Sequence, residues 1–229
     1  MSHIFDLEPE FLKLHESCRN ETMTSIERMY ALYQATCHVL DREIPGDLVE
    51  CGVWRGGSAM LMASTLLAHG RTDRTIWLYD TFDGVLPPGD DDVQEMSGRR
   101  AAEILAEQER TADNPFWGIA PRTQVEHNLQ RTGYPMHRFH LVPGDVLATI
   151  PRESPEAISL LRLDTDWYAS TRHELEQLYP RLSSGGVLIV DDYGYWRGAR
   201  KATDEYFQSI ERRPLLHRID YTGRIGIKP

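Results

Sequence analysis

Five short apolar runs, separated by segments with helical periodicity, restrict the fold of this chain more than any other feature. Their apolar residues stand side by side instead of alternating with polar ones, which is typical of strands that helices cover on both faces. The 229 residues suffice for one large α/β domain. We therefore predict a mostly parallel sheet with helices on both faces. The runs occupy residues 47–53, 75–80, 138–145, 158–164 and 186–192.

Capping signals and periodicity place helices between these runs. Thr24 and Glu27 have the spacing of a capping box, and apolar residues follow at helical spacing, which predicts a helix over about 24–42. Thr171 and Glu174 have the same spacing at the start of a leucine-rich segment, which predicts a second capped helix. Two more helices are predicted over 58–69 and 198–212.

The C-terminal segment and one long connection depart from this pattern. Residues 215–229 are typical of an antiparallel hairpin that turns at Thr222-Gly223, so the parallel sheet should end in an antiparallel edge. Residues 84–120 are acidic, contain several prolines and are longer than an ordinary connection, which indicates a lid or an oligomer contact. We predict one domain over 1–229 with a helical N-terminal segment over 1–43.

Charge and cysteine content exclude several classes of partner and site. The formal net charge is -10 at pH 7, and without a long basic run neither nucleic acid nor an anionic membrane is an expected partner. The three cysteines form no CxxC pair, so neither a disulfide framework nor a zinc site is predicted. The N-terminal residues lack the apolar core of a signal peptide, and no apolar run is long enough to span a membrane. A cytoplasmic protein is expected.

The first apolar run leads through a glycine-rich turn into a helix. Glu50 and Gly52 precede Gly56-Gly57-Ser58, so the backbone can approach a ligand closely and the helix amides can receive an anionic group. The spacing E-x-G-x-x-x-G differs from the dinucleotide pattern and is typical of proteins that bind S-adenosylmethionine. Asp80, which ends the second run, would accept hydrogen bonds from ribose hydroxyls. Ordinary strand-to-helix turns are the alternative for both motifs.

Five further residues would complete this cofactor site. Phe82 and Val146 adjoin the ends of the second and third runs, and Asp145 would either contact the adenine amino group or cap a turn. Met23 and Thr24 would reach the amino-acid end of the cofactor if their helix begins at the site, although capping alone explains Thr24. The complete set of predicted cofactor residues is Met23, Thr24, Glu50, Gly52, Ser58, Asp80, Phe82, Asp145 and Val146.

The fourth and fifth runs both end in acidic residues. Asp164 ends the fourth run and Asp191-Asp192 ends the fifth, and adjacent parallel strands lie about 5 Å apart, so these carboxylates can meet. Without a counter-ion, repulsion and partial desolvation would force one acid to protonate. An all-oxygen donor set favours a hard divalent cation, Mg²⁺ first and Mn²⁺ or Ca²⁺ as substitutes. The alternative is that Asp192 caps the next turn and Asp164 pairs with Arg162 or another basic residue.

Several of these segments together resemble the macrocin O-methyltransferase family, whose members methylate sugar hydroxyls in antibiotic biosynthesis. The resemblance runs from about residue 20 to residue 210 in consistent order and weakens across 84–120. The segments that carry it are ETMTSIERMYALYQA, GDLVECGVWRGGSA, YDTFDG, GDV, LLRLDTDWYASTRHELEQLYPRLSSGGVLIVDDYG and GARKATDEYF.

The resemblance implies a fold, two cofactors and a class of substrate. The fold would be the class I methyltransferase (Rossmann-like) fold, a mostly parallel seven-stranded sheet with an antiparallel C-terminal hairpin. The cofactors would be S-adenosylmethionine and Mg²⁺, with Asp164, Asp191 and Asp192 matching the three metal aspartates of the family. The acceptor would be a sugar or glycosylated natural product, with the sugar either already attached or nucleotide-linked. A homo-oligomer, a dimer or larger, is also implied.

The proposed reaction needs a base for the proton of the attacking hydroxyl and a surface for the sugar ring. Asp164 is the first candidate base because it would lie at the edge of the metal site, and Asp166 is the second. Trp117, in the acidic connection, is the aromatic residue expected to stack on a sugar. The aromatic residues that would either stack on the sugar or fill the core are Trp167, Tyr193 and Trp196.

Three other functions stay open. A catechol-type phenol chelates Mg²⁺ much as a vicinal sugar diol does, so phenol O-methylation is the nearest alternative. Asp164-x-Asp166 has the spacing of metal-dependent phosphatases, although those enzymes carry the pair after their first strand. A cofactor-binding scaffold is the non-enzymatic alternative, and the three aspartates argue against it.

Overall fold

Seven strands form one sheet in the computed structural model, which describes residues 6–229. The strand order is β3-β2-β1-β4-β5-β7-β6; β1 to β5 are parallel, and β7 runs antiparallel to both β5 and β6. This arrangement confirms the predicted parallel sheet with an antiparallel C-terminal hairpin. The strands are β1 Asp47–Cys51, β2 Ile76–Asp80, β3 Phe139–Pro143, β4 Ile158–Leu163, β5 Leu182–Val190, β6 His217–Arg218 and β7 Arg224–Ile227.

Helices cover both faces of the sheet, as predicted. One core cluster joins Leu48 and Leu160 to the first three helices, and a second joins Val49 and Leu161 to the last three. Alternate residues of a strand point to opposite faces, so β1 and β4 each supply both clusters. The helices are α1 Pro9–Cys18, α2 Ile26–Asp41, α3 Gly57–Ala68, α4 Ala101–Ala106, α5 Arg122–Gln130, α6 Val146–Thr149, α7 Tyr168–Leu178 and α8 Arg197–Gln208.

The central strand β4 is buried along its whole length, which explains why its sequence does not alternate between apolar and polar residues. All six residues of Ile158–Leu163 are buried, including Arg162. Each fully buried leucine or isoleucine contributes about 1.5–3 kcal/mol relative to an exposed one. The strand therefore fixes where its carboxyl end lies, and Asp164 follows directly.

Helix α2 begins one residue later than the predicted capping box implied. Ser25 is the N-cap, and its side-chain oxygen accepts a hydrogen bond from the backbone N–H of Arg28 at 3.2 Å. Thr24 is left outside the helix, and its hydroxyl instead accepts a hydrogen bond from Arg162 Nη2 at 3.0 Å. Residues 1–5 of the predicted N-terminal segment 1–43 lie outside the described residues.

The predicted capping box at Thr171 and Glu174 is wrong. Helix α7 begins at Tyr168, so both residues lie inside it and are buried. The first-turn amide of Tyr168 finds its acceptor far along the chain, in the carboxylate of Asp92 at 2.8 Å. A tertiary contact has replaced the local cap that the sequence pattern suggested.

The acidic connection 84–120 is fixed to the body of the protein at several points. The indole N–H of Trp167 donates to the carbonyl of Leu86 at 2.8 Å, and an isolated bridge joins Gln94 to Trp196. Asp92 is only 1% exposed, and a Cβ on Gly198 would lie 1.9 Å from its Oδ1 atom. The connection therefore lies over the carboxyl end of the sheet; its role as a lid or oligomer contact stays a prediction. Among residues 6–229, no helix has both the length and the apolar character to cross a membrane.

Candidate active site

A cavity of about 390 Å³ opens at the carboxyl ends of the parallel strands. Its walls come from the loops after β1 to β5, the turn before α2, the connection 84–120 and the turn between β6 and β7. In open parallel sheets ligands bind at this edge. The polar residues that follow the strands therefore face one shared space.

Gly52 brings the loop after β1 against the loop after β4. Its φ is 82°, and a Cβ there would lie 2.0 Å from the carbonyl oxygen of Asp164. The backbone N–H of Asp164 donates to the carbonyl of Cys51 at 2.8 Å. Only glycine combines this positive φ with so close a backbone approach.

Asp80 lies at the end of β2 and lines the cavity. Its Oδ2 accepts the backbone N–H groups of Val53 and Trp54 at 2.6 and 3.1 Å, and its Oδ1 accepts that of Phe82 at 2.7 Å. Burial raises the pKa of this carboxyl, and the same N–H groups oppose the rise. An ionised carboxylate has about four acceptor positions, so Asp80 keeps capacity for hydroxyl donors.

The predicted cofactor residues divide between the cavity wall and the layer behind it. Those that line the cavity are Met23, Thr24, Gly52, Asp80 and Val146. Those that the structure does not bring to its wall are Glu50, Ser58, Phe82 and Asp145. Glu50 is 1% exposed and accepts Arg162 Nη1 at 2.7 Å. Asp145 caps α6 by accepting the Leu147 N–H at 2.9 Å, which is the turn-capping alternative.

The three predicted metal aspartates come together at the ends of β4 and β5. One carboxylate oxygen from each of Asp164, Asp191 and Asp192 lies within 4.8 Å of the other two. The pairing of Leu163 with Val190 in the neighbouring strands produces this meeting, because each acid directly follows its strand. Sequence reasoning therefore identified the cluster correctly, and its metal-binding role stays a prediction.

Two arginines partly neutralise this cluster. Arg162, with a side chain 2% exposed, contacts Glu50, Asp164 and Asp191 at 2.7, 2.8 and 2.7 Å. Burial alone would lower the pKa of Arg162, but the surrounding carboxylates outweigh burial and raise it. The pairing of Asp164 with Arg162, considered as an alternative to metal binding, is present within the cluster.

The second arginine, Arg28, was not identified from the sequence. It contacts Oδ2 of Asp191 and lies 3.0 Å from Asp220 in the turn between β6 and β7. Arg28 lies in the first turn of α2, and its backbone N–H donates to the N-cap Ser25. Because Thr24 precedes this turn and was a predicted site residue, the position of Arg28 in the first turn could have indicated that it also reaches the site. The two arginines together leave neither oxygen of Asp191 without a cationic partner.

Asp192 differs from its neighbours because no arginine pairs with it in the described residues. Its Oδ2 atom is buried without a hydrogen-bond partner among residues 6–229. Burial, with Asp166 and Asp191 adding to it, raises its pKa well above the usual range. An orphaned buried oxygen in an all-oxygen cluster fits a hard divalent cation such as Mg²⁺, which would make the ionised form favourable.

Asp166 also lines the cavity, in an unusual backbone conformation. Its φ is 67°, and its Oδ1 accepts the indole N–H of Trp196 at 2.8 Å. Burial, followed by the charge of Asp164, raises its pKa to about 7. A carboxyl group with this pKa is suited to accept a proton near neutral pH.

Aromatic and apolar side chains form the rest of the cavity. Trp167 and Trp196 line it and pack edge to face, with ring centroids 5.0 Å apart. Trp117, predicted to stack on a sugar, does not line the cavity; it packs in a cluster with α4 and under Arg110. Tyr193 likewise packs against Arg200 and Arg224. The exposed apolar residues at the mouth are Met23, Leu86, Phe116 and Tyr221.

Comparisons with known proteins show which family this chain resembles. The family model described as Macrocin-O-methyltransferase (TylF) matches residues 17–225. Demethyldecarbamoylnovobiocin O-methyltransferase of Streptomyces niveus is 34% identical over 205 residues, which are 88% of this chain and 73% of the relative.

A second relative and one solved structure give the same result. The 8-demethyl-8-(2,3-dimethoxy-alpha-L-rhamnosyl)-tetracenomycin-C 4'-O-methyltransferase of Streptomyces olivaceus is 34% identical over 221 residues, which are 95% of this chain and 79% of the relative. The structure of the O-methyltransferase NovP is similar with a TM-score of 0.78 and 33% identity, over 91% of this chain and 82% of that one.

Proposed function

The chain belongs to the macrocin O-methyltransferase family, and we propose that it transfers the methyl group of S-adenosylmethionine to a sugar hydroxyl of a glycosylated natural product, with Mg²⁺ as a second cofactor. The observation that carries the proposal is the meeting of two sites in one cavity. Asp80 lies at one end and the three aspartates at the other.

The cofactor is proposed to occupy the end of the cavity at β1 and β2. Asp80 would accept the ribose hydroxyls, for which its backbone hydrogen bonds hold it in place. Thr24 and Met23, which line the same cavity as Gly52, would lie at the amino-acid end of the cofactor. This orientation would direct the sulfonium methyl towards Asp164 and Asp166, across the contact between the loops after β1 and β4.

The charge of the cavity wall supports these ligands. Five aspartates line it, and Arg28 is the single cation among the lining residues that the structure describes. An excess of carboxylates attracts a cationic sulfonium and a divalent metal and repels a diphosphate. We therefore propose that the acceptor sugar is already attached to its aglycone, as the rhamnosyl group is in the name of the Streptomyces olivaceus relative. The apolar mouth would contact that aglycone.

Asp164, Asp191 and Asp192 would hold the metal. When bound, Mg²⁺ supplies a Lewis acid that lowers the pKa of an acceptor hydroxyl. The protein residues supply the orientation: Arg162 fixes Asp164 and Asp191 from behind, while Asp192 keeps an unpaired oxygen.

Asp166 is proposed as the base, in preference to Asp164. Asp164 is paired with Arg162 and is needed by the metal, whereas Asp166 contacts no arginine in the described residues and has a pKa of about 7. Its carboxylate would accept the hydroxyl proton as the oxygen attacks the methyl carbon. The carbon–sulfur bond of the donor would break as the carbon–oxygen bond forms, so that S-adenosylhomocysteine would leave with the electron pair on sulfur.

Methyl transfer from labelled S-adenosylmethionine tests the proposal. We expect transfer to a rhamnosylated aromatic aglycone in the presence of Mg²⁺, and little or none to a thymidine-diphosphate deoxysugar or to a catechol. Preferred turnover of the nucleotide sugar would contradict the choice of acceptor, and preferred turnover of the catechol would support the phenol alternative. Phosphate release without a methyl donor would support the phosphatase alternative.

Three further properties are part of the proposal. The connection 84–120 acts as a lid over the acceptor, since it supplies Leu86 and Phe116 to the mouth. The protein works as a homo-oligomer, on the grounds of the family resemblance. It is cytoplasmic, in keeping with its three free cysteines at positions 18, 37 and 51. Light scattering of the purified protein tests the oligomer.

A further inference from the structure

Glu174 is a buried acid that the proposed mechanism does not use. It lies in α7 with a side chain that is 0% exposed. Its Oε1 accepts the hydroxyl of Thr165 at 2.9 Å, and its Oε2 is buried without a hydrogen-bond partner in the described residues. Leaving a polar atom unpaired in a core destabilises the fold, so a leucine at this position would give a more stable protein. The stability of the fold alone does not explain an acid at this position.

Thr165 lies between the two most important carboxylates of the site. It separates Asp164, a proposed metal ligand, from Asp166, the proposed base, and it lines the cavity. Its carbonyl accepts the Trp167 N–H at 2.8 Å, while its side chain is held by Glu174. The bond to Glu174 therefore anchors the centre of the loop that carries both acids.

The loop that Thr165 anchors is also joined to the end of β1. The carbonyl of Cys51, the last residue of β1, accepts the Asp164 N–H at 2.8 Å, and a Cβ on Gly52 would lie 2.0 Å from the Asp164 carbonyl oxygen. A shift of the Thr165 loop would therefore also disturb its contact with the loop at the cofactor end.

Glu174 has the chemistry of a neutral hydrogen-bonding group. Burial raises its pKa to about 8, and Thr165 only partly opposes that rise. A protonated carboxyl accepts through one oxygen and donates through the other, as a glutamine amide also does. No cationic side chain is among the groups that act on the Glu174 carboxyl in the described residues.

We propose that Glu174 is a positioning residue: through Thr165 it fixes the distance between the methyl donor and the loop that carries Asp164 and Asp166. The inference rests on the proposed function for its catalytic consequence. A misplacement of about 1 Å at a reacting centre lowers the rate by about 100-fold, so a buried anchor of this kind controls turnover without touching substrate.

Three variants of the full-length protein test the inference. Glu174→Leu keeps the volume and removes the unpaired oxygen; we expect a melting temperature at or above that of the wild type, a kcat about 100-fold lower and KM values within about threefold. Glu174→Gln keeps an oxygen acceptor for Thr165, and we expect kcat within about threefold of the wild type. Glu176→Gln, on the exposed side of the same helix, is the matched control and should be unchanged.

Thr165→Val removes the other side of the anchor. If the hydrogen bond acts as a unit, this variant should lose kcat to a similar extent, and the double variant Glu174→Leu/Thr165→Val should lose little more than either single one. If the kcat losses of the two single variants multiplied in the double variant, the two residues would act independently, and the inference would be overturned. So would full activity in Glu174→Leu, or a Gln variant as impaired as the Leu variant.

Metal affinity separates a failure of this inference from a failure of the proposed function. We expect calorimetric Mn²⁺ affinity to fall by about tenfold in Glu174→Leu, because Asp164 is displaced, and to be retained in Glu174→Gln. If the wild type methylated no tested acceptor, the proposed function would be contradicted. The role of Glu174 would then be tested by Mn²⁺ affinity alone. Equal Mn²⁺ affinity in the Leu variant and the wild type would then overturn it.

Discussion

The two ends of the cavity surround their carboxylates with different kinds of partner. At the end formed by β1 and β2, Asp80 is surrounded by backbone N–H groups from Val53, Trp54 and Phe82. At the end formed by β4 and β5, the acids meet one another, and the buried Arg162 and the partly buried Arg28 only partly offset their charge.

This difference separates two kinds of ligand. A carboxylate held by neutral donors keeps acceptor capacity for hydroxyls, which suits a ribose. A cluster with an unpaired buried oxygen at Asp192 is incomplete without a cation, which suits a metal. Similar residues in similar positions after their strands thus acquire different chemistry from their surroundings, and the experiments below are chosen to separate the two ends.

Asp192→Asn should give the largest effect. It keeps the shape of the side chain and leaves the arginine pairs of Asp164 and Asp191 intact, but removes the charge that the metal would need. We expect kcat to fall by about 1000-fold, which corresponds to an activation free energy about 4 kcal/mol higher. The affinity for S-adenosylhomocysteine, measured by calorimetry, should be unchanged. Excess chelator should reproduce the loss in the wild type, and added Mg²⁺ should reverse it. Activity that survives both treatments would remove the metal from the proposal.

Gly52→Ala tests the contact that joins the two ends. The new Cβ would lie 2.0 Å from the Asp164 carbonyl, in a residue with φ of 82°. We expect the free energy of unfolding to fall by about 3 kcal/mol, measured by denaturant titration. Gly70→Ala is the matched control, because Gly70 also has a positive φ of 67° but no atom within 4 Å; it should cost about 1 kcal/mol. Equal costs would mean that the contact is unimportant.

Asp80→Ala should affect the cofactor end alone. Three backbone N–H groups would lose their acceptor, and the ribose hydroxyls would lose their hydrogen-bond partner. We therefore expect the Kd for S-adenosylhomocysteine to rise by about 30-fold, which corresponds to about 2 kcal/mol of binding free energy. Mn²⁺ affinity should be unchanged. Asp83→Ala, an exposed acid in the same loop, is the control. A matching loss of metal affinity in Asp80→Ala would show that the two ends are not separate.

The pH dependence of stability should show the smallest effect when it is expressed per pH unit. The pKa of Glu174 is raised to about 8 from 4.5, so the folded protein binds more protons than the unfolded chain between these values. Its stabilising contribution is therefore complete below about pH 4.5 and is lost as the pH rises towards 8. We expect Glu174→Gln to remove a fall in unfolding free energy of about 1 kcal/mol per pH unit between pH 5 and 8. If the wild type and Glu174→Gln had the same dependence of unfolding free energy on pH, the fall in stability would come from other acidic residues.

Much of the fold could be predicted because it depends on local patterns. The mostly apolar run at 158–163, without alternation, is typical of a strand buried on both faces, and it predicted the position of Asp164. The capping box at Thr171 and Glu174 misled because spacing does not reveal burial. In the folded protein Asp92, 76 residues before Tyr168, caps the helix.

The candidate site could be predicted where residues follow strands and not where they arrive from elsewhere. Asp164, Asp191 and Asp192 were identifiable because neighbouring parallel strands end together. Arg28 and Tyr221 were not, since they come from the first turn of α2 and from the turn before β7. Nothing in their own sequence neighbourhoods indicates that these turns meet at the cavity.

The sequence by itself therefore determined the strands, their order of appearance and the acids that end them, because hydrophobic periodicity and chain direction are properties of the chain alone. The tertiary structure decided which acids share a cation, which are satisfied by backbone amides and which are buried beneath the site. Charge, pKa and hydrogen bonding depend on surroundings, and packing brings those surroundings from distant parts of the chain.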